Sequence, residues 1–163
     1  SGTHAGMVEL TGGEDNNYTF AYASGDFEVT KAELTVTAEN QSKVYGSENP
    51  ELTFVYSGWV NGEEAIDTAP SIGTSVDNTS NVGTYAEAIE LTGGEDNNYT
   101  FAYASGDFAV TKAQLTVTAA DQRKVYGAGN PELTFDYIGL VNGEEAIDIV
   151  PSIGTSAATT TYV

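Results

Sequence analysis

Apolar side chains recur along the chain mostly at every second position, the spacing of a half-buried β-strand. Between Ala32 and Ala38, the residues Ala32, Leu34, Val36 and Ala38 alternate with Glu33, Thr35 and Thr37, so one strand face packs while the other meets solvent. Leu52, Phe54 and Tyr56 repeat the pattern after a break at Asn49-Pro50. Tyr18, Phe20 and Tyr22 do so again, followed by Ser24-Gly25 and then Phe27 and Val29. This predicts a hairpin with a two-residue turn, repeated over Tyr99–Val110. One segment departs from the two-residue period. Asn61 precedes Gly62, Glu63 and Glu64, a capping-box arrangement with acids in the first turn, and Pro70 ends whatever starts there. One short helical turn is therefore predicted at Asn61–Asp67, and another at Asn142–Ile147. The expected fold class is mostly β: tandem small modules, each a β-grasp-like sheet or an Ig-like sandwich with one helical turn.

The pattern is periodic on a longer scale. Thr11–Phe27, TGGEDNNYTFAYASGDF, recurs letter for letter at Thr92–Phe108, an offset of 81 residues. The same offset relates LTVTA at Leu34 and Leu115, KVYG at Lys43 and Lys124, and NPELTF at Asn49 and Asn130. It also relates VNGEEAID at Val60 and Val141, and PSIGTS at Pro70 and Pro151. Gly2-Thr3-His4-Ala5 keeps phase with Gly83-Thr84-Tyr85-Ala86. A period of this length is the signature of a tandem array. Residues 32–113 make one complete module, residues 1–31 the C-terminal part of a preceding one, and residues 114–163 the N-terminal part of a following one.

The series KVYG, NPELTF, NGE, GTY, NNYTF and TKA resembles the MBG-type tandem repeats of large bacterial cell-surface proteins and adhesins, over nearly the whole chain. The resemblance implies a secreted or cell-surface location and a mostly-β module. It implies no enzymatic activity and supplies no catalytic residues.

Composition narrows the chemistry. With 24 acidic and 5 basic residues the formal net charge is −19, which repels nucleic acid and anionic membranes and keeps a crowded protein soluble. No apolar run approaches a membrane span, and no secretion-signal core is present. There is no cysteine, so disulfides, thiolate metal sites and cysteine nucleophiles are excluded. His4 is the single histidine, and no Ser/His/Asp set or HExxH motif exists; the chain is read as no enzyme, without cofactor. Acid pairs such as Glu63–Glu64 suit a solvated turn better than acid–base work. Calcium is the one candidate cation: Glu14, Asp15 and Asn17, with Asp26 across the hairpin, and their copies Glu95, Asp96, Asn98 and Asp107, offer hard oxygen ligands on a turn. The same residue types also build turns that hold no metal. Lys31, Lys43, Lys112 and Lys124 border apolar strands, where they pair with carboxylates or form Lys–Asn amide cross-links. Four glycosylation sequons begin at Asn17, Asn40, Asn78 and Asn98. Trp59, replaced by Leu140 in the second copy, is expected to pack in the core rather than at a module–module contact.

A partial module leaves strand edges and an apolar face unpaired, a state prone to association. Residues 114–163 carry the front strands and residues 1–31 the returning ones, so together they amount to one module. They could join within one chain, recur along a longer tandem protein, or join between molecules. The expected partner is thus a copy of the same chain, taken up head-to-tail by strand complementation into an open fibre. The alternative is the stalk of an adhesin, with exposed aromatics contacting a glycan or host surface.

Overall fold

The computed structural model describes residues 1–160. Its strands are β1 (Gly2–Val8), β2 (Gly25–Val29), β3 (Ala32–Ala38), β4 (Gln41–Val44), β5 (Phe54–Ser57), β6 (Ser71–Thr74), β7 (Gly83–Thr92), β8 (Tyr99–Ala104), β9 (Gly106–Thr111), β10 (Thr116–Ala119) and β11 (Phe135–Ile138). The middle repeat forms two sheets, one of order β5-β3-β8 and one of order β4-β9-β7-β6. β3 is central in the first. It pairs antiparallel with β5, Val36 opposite Tyr56, and parallel with β8, Leu34 opposite Phe101.

The alternation in β3 sends Leu34, Val36 and Ala38 into the core, and the second sheet contributes Ile89 and Leu91 from β7 and Phe108 and Val110 from β9. Tyr99 at the head of β8 is buried with them. The fold is mostly β, as expected, with its buried residues drawn from two sheets.

Two compact units are present. One comprises Ser1–Gln41, Glu51–Ser75 and Ala86–Phe108; the other comprises Ser42–Pro50, Val76–Tyr85 and the residues from Ala109 on. The first contains the ribbon β1–β2, with Gly2 opposite Val29. The second contains the ribbon β10–β11, with Thr116 opposite Ile138.

Two local expectations change. Tyr99–Val110 is not a hairpin, because β8 joins β3 while β9 lies between β4 and β7. Phe108 and Val110 alternate into the core as the pattern predicts, but the chain changes sheet at Ser105-Gly106. Gly106 permits the crossing: a Cβ there would lie 2.9 Å from the carbonyl oxygen of Ala38 and 3.0 Å from that of Glu39. The first copy behaves likewise, since β2 pairs with β1 and not with Tyr18–Ala23.

No helix forms among the described residues. Asn61 and Gly62 take φ of 54° and 73°, and the Glu63 N–H donates to the Val60 carbonyl at 3.1 Å. Asn142 and Gly143 repeat this at 55° and 75°, with Glu144 N–H to Val141 O at 3.0 Å. Positive φ at both central residues of a tight turn is what Asn-Gly favours. A helix would need this asparagine in the β region as N-cap and would carry a glycine in its first turn. The turn chemistry outweighs the capping box.

Gly106 and Gly25 occupy the same place in the repeat, yet a Cβ on Gly25 would meet only Val8, at 3.5 Å. Urea denaturation should show Gly106→Ala destabilised by about 1–3 kcal/mol, the usual cost of overpacking. Gly25→Ala should change stability by less than about 0.5 kcal/mol.

Candidate functional site

The offset of 81 gives each outer ribbon a counterpart within the complete repeat. β1 and β2 correspond to β7 and β9, and β10 and β11 correspond to β3 and β5. In the complete repeat β9 is flanked by β4 and β7, and β7 by β9 and β6, whereas β1–β2 is a two-stranded sheet. β10–β11 keeps the register of its counterpart, Thr116 opposite Ile138 as Thr35 is opposite Ser57. Among the described residues its sheet also stops at two strands, so β10 has there no parallel neighbour like the one β8 provides for β3. Tyr18–Ala23 has the same sequence as β8 but forms no strand.

Burial differs accordingly between residues of identical sequence. Tyr18 is 74% exposed and Tyr99 2%; Phe27 is 55% exposed and Phe108 0%. Val29 and Val117 are exposed where Val110 and Val36 are buried. Phe20 and Tyr22 stack at 6.2 Å, as Phe101 and Tyr103 do at 6.1 Å. The hydroxyls of Tyr22 and Tyr103 donate to the carbonyls of Gly12 and Gly93. The first copy thus keeps the local geometry of the second while its apolar face stays in water. Such a ribbon can pair by main-chain hydrogen bonds and bury that face.

The acidic turns are occupied by backbone donors. Asp15 Oδ1 accepts from the N–H groups of Asn17 at 2.7 Å and Tyr18 at 3.1 Å. In the copy, Asp96 Oδ1 accepts from Asn98 at 2.7 Å and Tyr99 at 3.0 Å, and Oδ2 from the Asp67 N–H at 3.1 Å. Asp67 returns the contact, taking the Asn97 N–H at 3.0 Å. Asn98 Oδ1 accepts from the Ser1 ammonium at 3.2 Å. Asp26 and Asp107 bond neighbouring strands instead: they accept from the Gly6 N–H of β1 at 2.9 Å and the Glu87 N–H of β7 at 2.8 Å. Glu95 exchanges backbone bonds with Thr68, and Glu14 borders the exposed turn before Asp15. Among the described residues no three acids or histidines gather into a metal-binding group.

The Asn98 N–H, helped by Asp67, Tyr99 and the Lys31 charge, holds the Asp96 carboxyl below its ordinary range against a smaller effect of desolvation. That is the reverse of what a general acid requires. Asp77 is also lowered, by the Thr79 hydroxyl first and then by the Thr79 N–H and the Ser80 hydroxyl. Burial raises the Tyr99 phenol, whose oxygen accepts the Val60 N–H at 3.0 Å.

The lysines mostly bind carbonyls, a role the sequence did not disclose. Buried Lys43 donates to Ser47 O at 3.1 Å and to Asp77 O, and Lys31 to Asp96 O at 2.6 Å. Lys124 reaches the Asn130 side chain at 2.7 Å. Trp59 packs within its own module, 5.3 Å from Tyr56 and 5.6 Å from Tyr99 between ring centroids.

A mostly-β module with a lysine-clamped Tyr-Gly turn, recurring at an offset of 81 residues, defines a tandem-repeat protein. Residues 34–109 and 115–163 match the MBG domain of the YGX type, and the chain belongs to that family. These domains are repeat modules of bacterial surface proteins. No curated protein and no solved structure matches the chain.

Because Asp77 and Asp96 are lowered on folding, their contribution to stability is complete above the ordinary aspartate value and drains away as pH falls through the folded one. Thermal midpoints should therefore hold steady with respect to these groups down to about pH 4 and drop below it. The double variant Asp77→Asn, Asp96→Asn, which keeps acceptors that do not titrate, should show a shallower acid limb.

Proposed function

We propose that the chain is a structural subunit or repeat of an extracellular bacterial fibre, assembled head-to-tail by complementation of its half-modules. The observation that carries this reading is the contrast between Tyr18 and Tyr99, the same residue in the same seventeen-letter segment, one in water and one in the core. Transposing the β3–β8 register by 81 residues places Tyr18–Ala23 of a neighbouring copy parallel to β10, with Ala113 opposite Tyr18, Leu115 opposite Phe20 and Val117 opposite Tyr22. Each large apolar side chain so covered stabilises the joint by about 1.5–3 kcal/mol. Because donor and acceptor are different surfaces, the association is heterologous and extends as an open filament wherever its rotation does not close a ring.

The neighbour is either another molecule or the next stretch of a longer tandem chain; the pairing is the same. The net charge of −19 suits a secreted, crowded, soluble fibre and disfavours nucleic acid and anionic membranes as partners. Catalysis has no part in this reading. An adhesin stalk that binds glycan through exposed aromatics would use Tyr18, Phe20 and Tyr22, but the counterparts of these residues belong to a folded sheet, and that favours strand pairing.

Light scattering and negative-stain electron microscopy over rising concentration test the proposal. Unbranched polymers should form, and an excess of a peptide of residues 1–31 should shorten them by capping the open C-terminal half-module. A monodisperse monomer at every concentration contradicts it.

A further inference from the structure

The Tyr45-Gly46 turn belongs to the repeat matched over residues 34–109, and the Val141–Glu144 turn to the one matched over 115–163. The two turns meet within the second compact unit. A Cβ on Gly46 would lie 2.5 Å from Val141 Cγ2 and 2.7 Å from Val141 Cβ, so the valine fills the space that a side chain at position 46 would need. The Tyr45 hydroxyl donates to Glu144 Oε1 at 2.7 Å, and Asn142 Nδ2 donates to the Asn78 carbonyl at 3.0 Å.

Each side of the contact is shaped by bonds within its own repeat. Buried Lys43 ties the carbonyls of Ser47 and Asp77 together, and Asn49 Nδ2 donates to the Val76 carbonyl at 2.5 Å. The Tyr45-Gly46 turn is thereby held to the Asp77-Asn78 turn, and the incoming residues reach both. On the other side Asn142 and Gly143 take φ of 55° and 75°, and the Glu144 N–H closes the turn on Val141 O at 3.0 Å. Two preset shapes meet with little ordering left to do. The contact is small, one half-buried valine and two hydrogen bonds at the surface. That is far short of what separate molecules need to associate. It suffices for neighbours in one chain, where the connection supplies each turn to the other at high effective concentration.

We propose that the Tyr45-Gly46 turn is a receptor for the Val141–Glu144 turn of the repeat that follows it in the same chain, a lock that couples the stability of consecutive repeats. KVYG and VNGE both recur at the 81-residue offset, so the period carries one receptor and one key. Gly46 has two duties here. Its φ of 80° favours glycine whatever surrounds it, whereas the empty side-chain position matters only when Val141 is seated. The lock acts along one chain and does not rest on assembly between molecules.

Amide exchange in the full chain, resolved by NMR in dilute solution, tests the lock. Gly46→Ala, a change in the preceding repeat, should speed exchange of the Glu144 N–H by about tenfold or more, as an overpacked contact opens. Tyr45→Phe, which leaves the backbone as it is, should speed the same N–H by about threefold, the loss of one exposed hydrogen bond. Coupling is reciprocal, so Val141→Gly should speed the Ser47 N–H, which donates to Val44 O at 3.0 Å. In the Val141→Gly background Gly46→Ala should add less than about twofold at Glu144, because the two changes act on one contact. The Leu34–Ala38 amides report whether Gly46→Ala leaves its own repeat folded; where it does not, Tyr45→Phe decides. Exchange at Glu144 that ignores both Gly46→Ala and Tyr45→Phe overturns the lock. So does a Gly46→Ala effect that persists in full without the Val141 side chain.

Discussion

β3 is a central strand, and the rest of the module follows from its need for a neighbour on each edge. One neighbour, β5, is near in sequence and antiparallel. The other, β8, is parallel, and Ala32 meets Tyr99 only after the chain has built β4 to β7. Parallel strands cannot be joined by a tight turn, so the long return is unavoidable and the second sheet is made along the way. A module organised in this manner is complete only when both ends of its sequence are present. Any cut between them leaves two ribbons, each with one apolar face and bare edges.

That dependence explains why identical residues behave differently in one chain. Tyr99 and Phe108 are buried because β3 and β7 lie in the same module. Tyr18 and Phe27 carry the same local instructions, including the Asp15 turn that mirrors the Asp96 turn, and remain exposed where, among the described residues, no counterpart of β3 pairs with Tyr18–Ala23. Local chemistry is satisfied in both copies. What separates them is the nonlocal term, the burial of apolar surface.

The same division marks what could be read in the residues beforehand. Strand faces were legible, since the alternation at Ala32–Ala38 maps onto the buried Leu34, Val36 and Ala38. The repeat was legible from the offset alone. Strand partners were not: Tyr99–Val110 has the pattern of a hairpin, and only the long-range pairing of β8 with β3 and of β9 with β4 and β7 separates its two halves into different sheets. At Asn61-Gly62 two local signals competed, and the positive φ preferred by Asn-Gly prevailed over the capping box. The lysine clamps had no legible signal, because their acceptors are backbone carbonyls of distant loops.

The central claim is that Tyr18–Ala23 becomes a strand when a copy supplies β10. Amide hydrogen exchange followed by mass spectrometry tests it directly, since peptides from the two copies differ at Glu28 and Ala109 and can be told apart. In dilute protein the Tyr18–Ala23 amides should exchange rapidly while those of Tyr99–Ala104 are protected. In assembled protein the two should be protected alike. Exchange at Tyr18–Ala23 that stays rapid in assembled material would contradict the account.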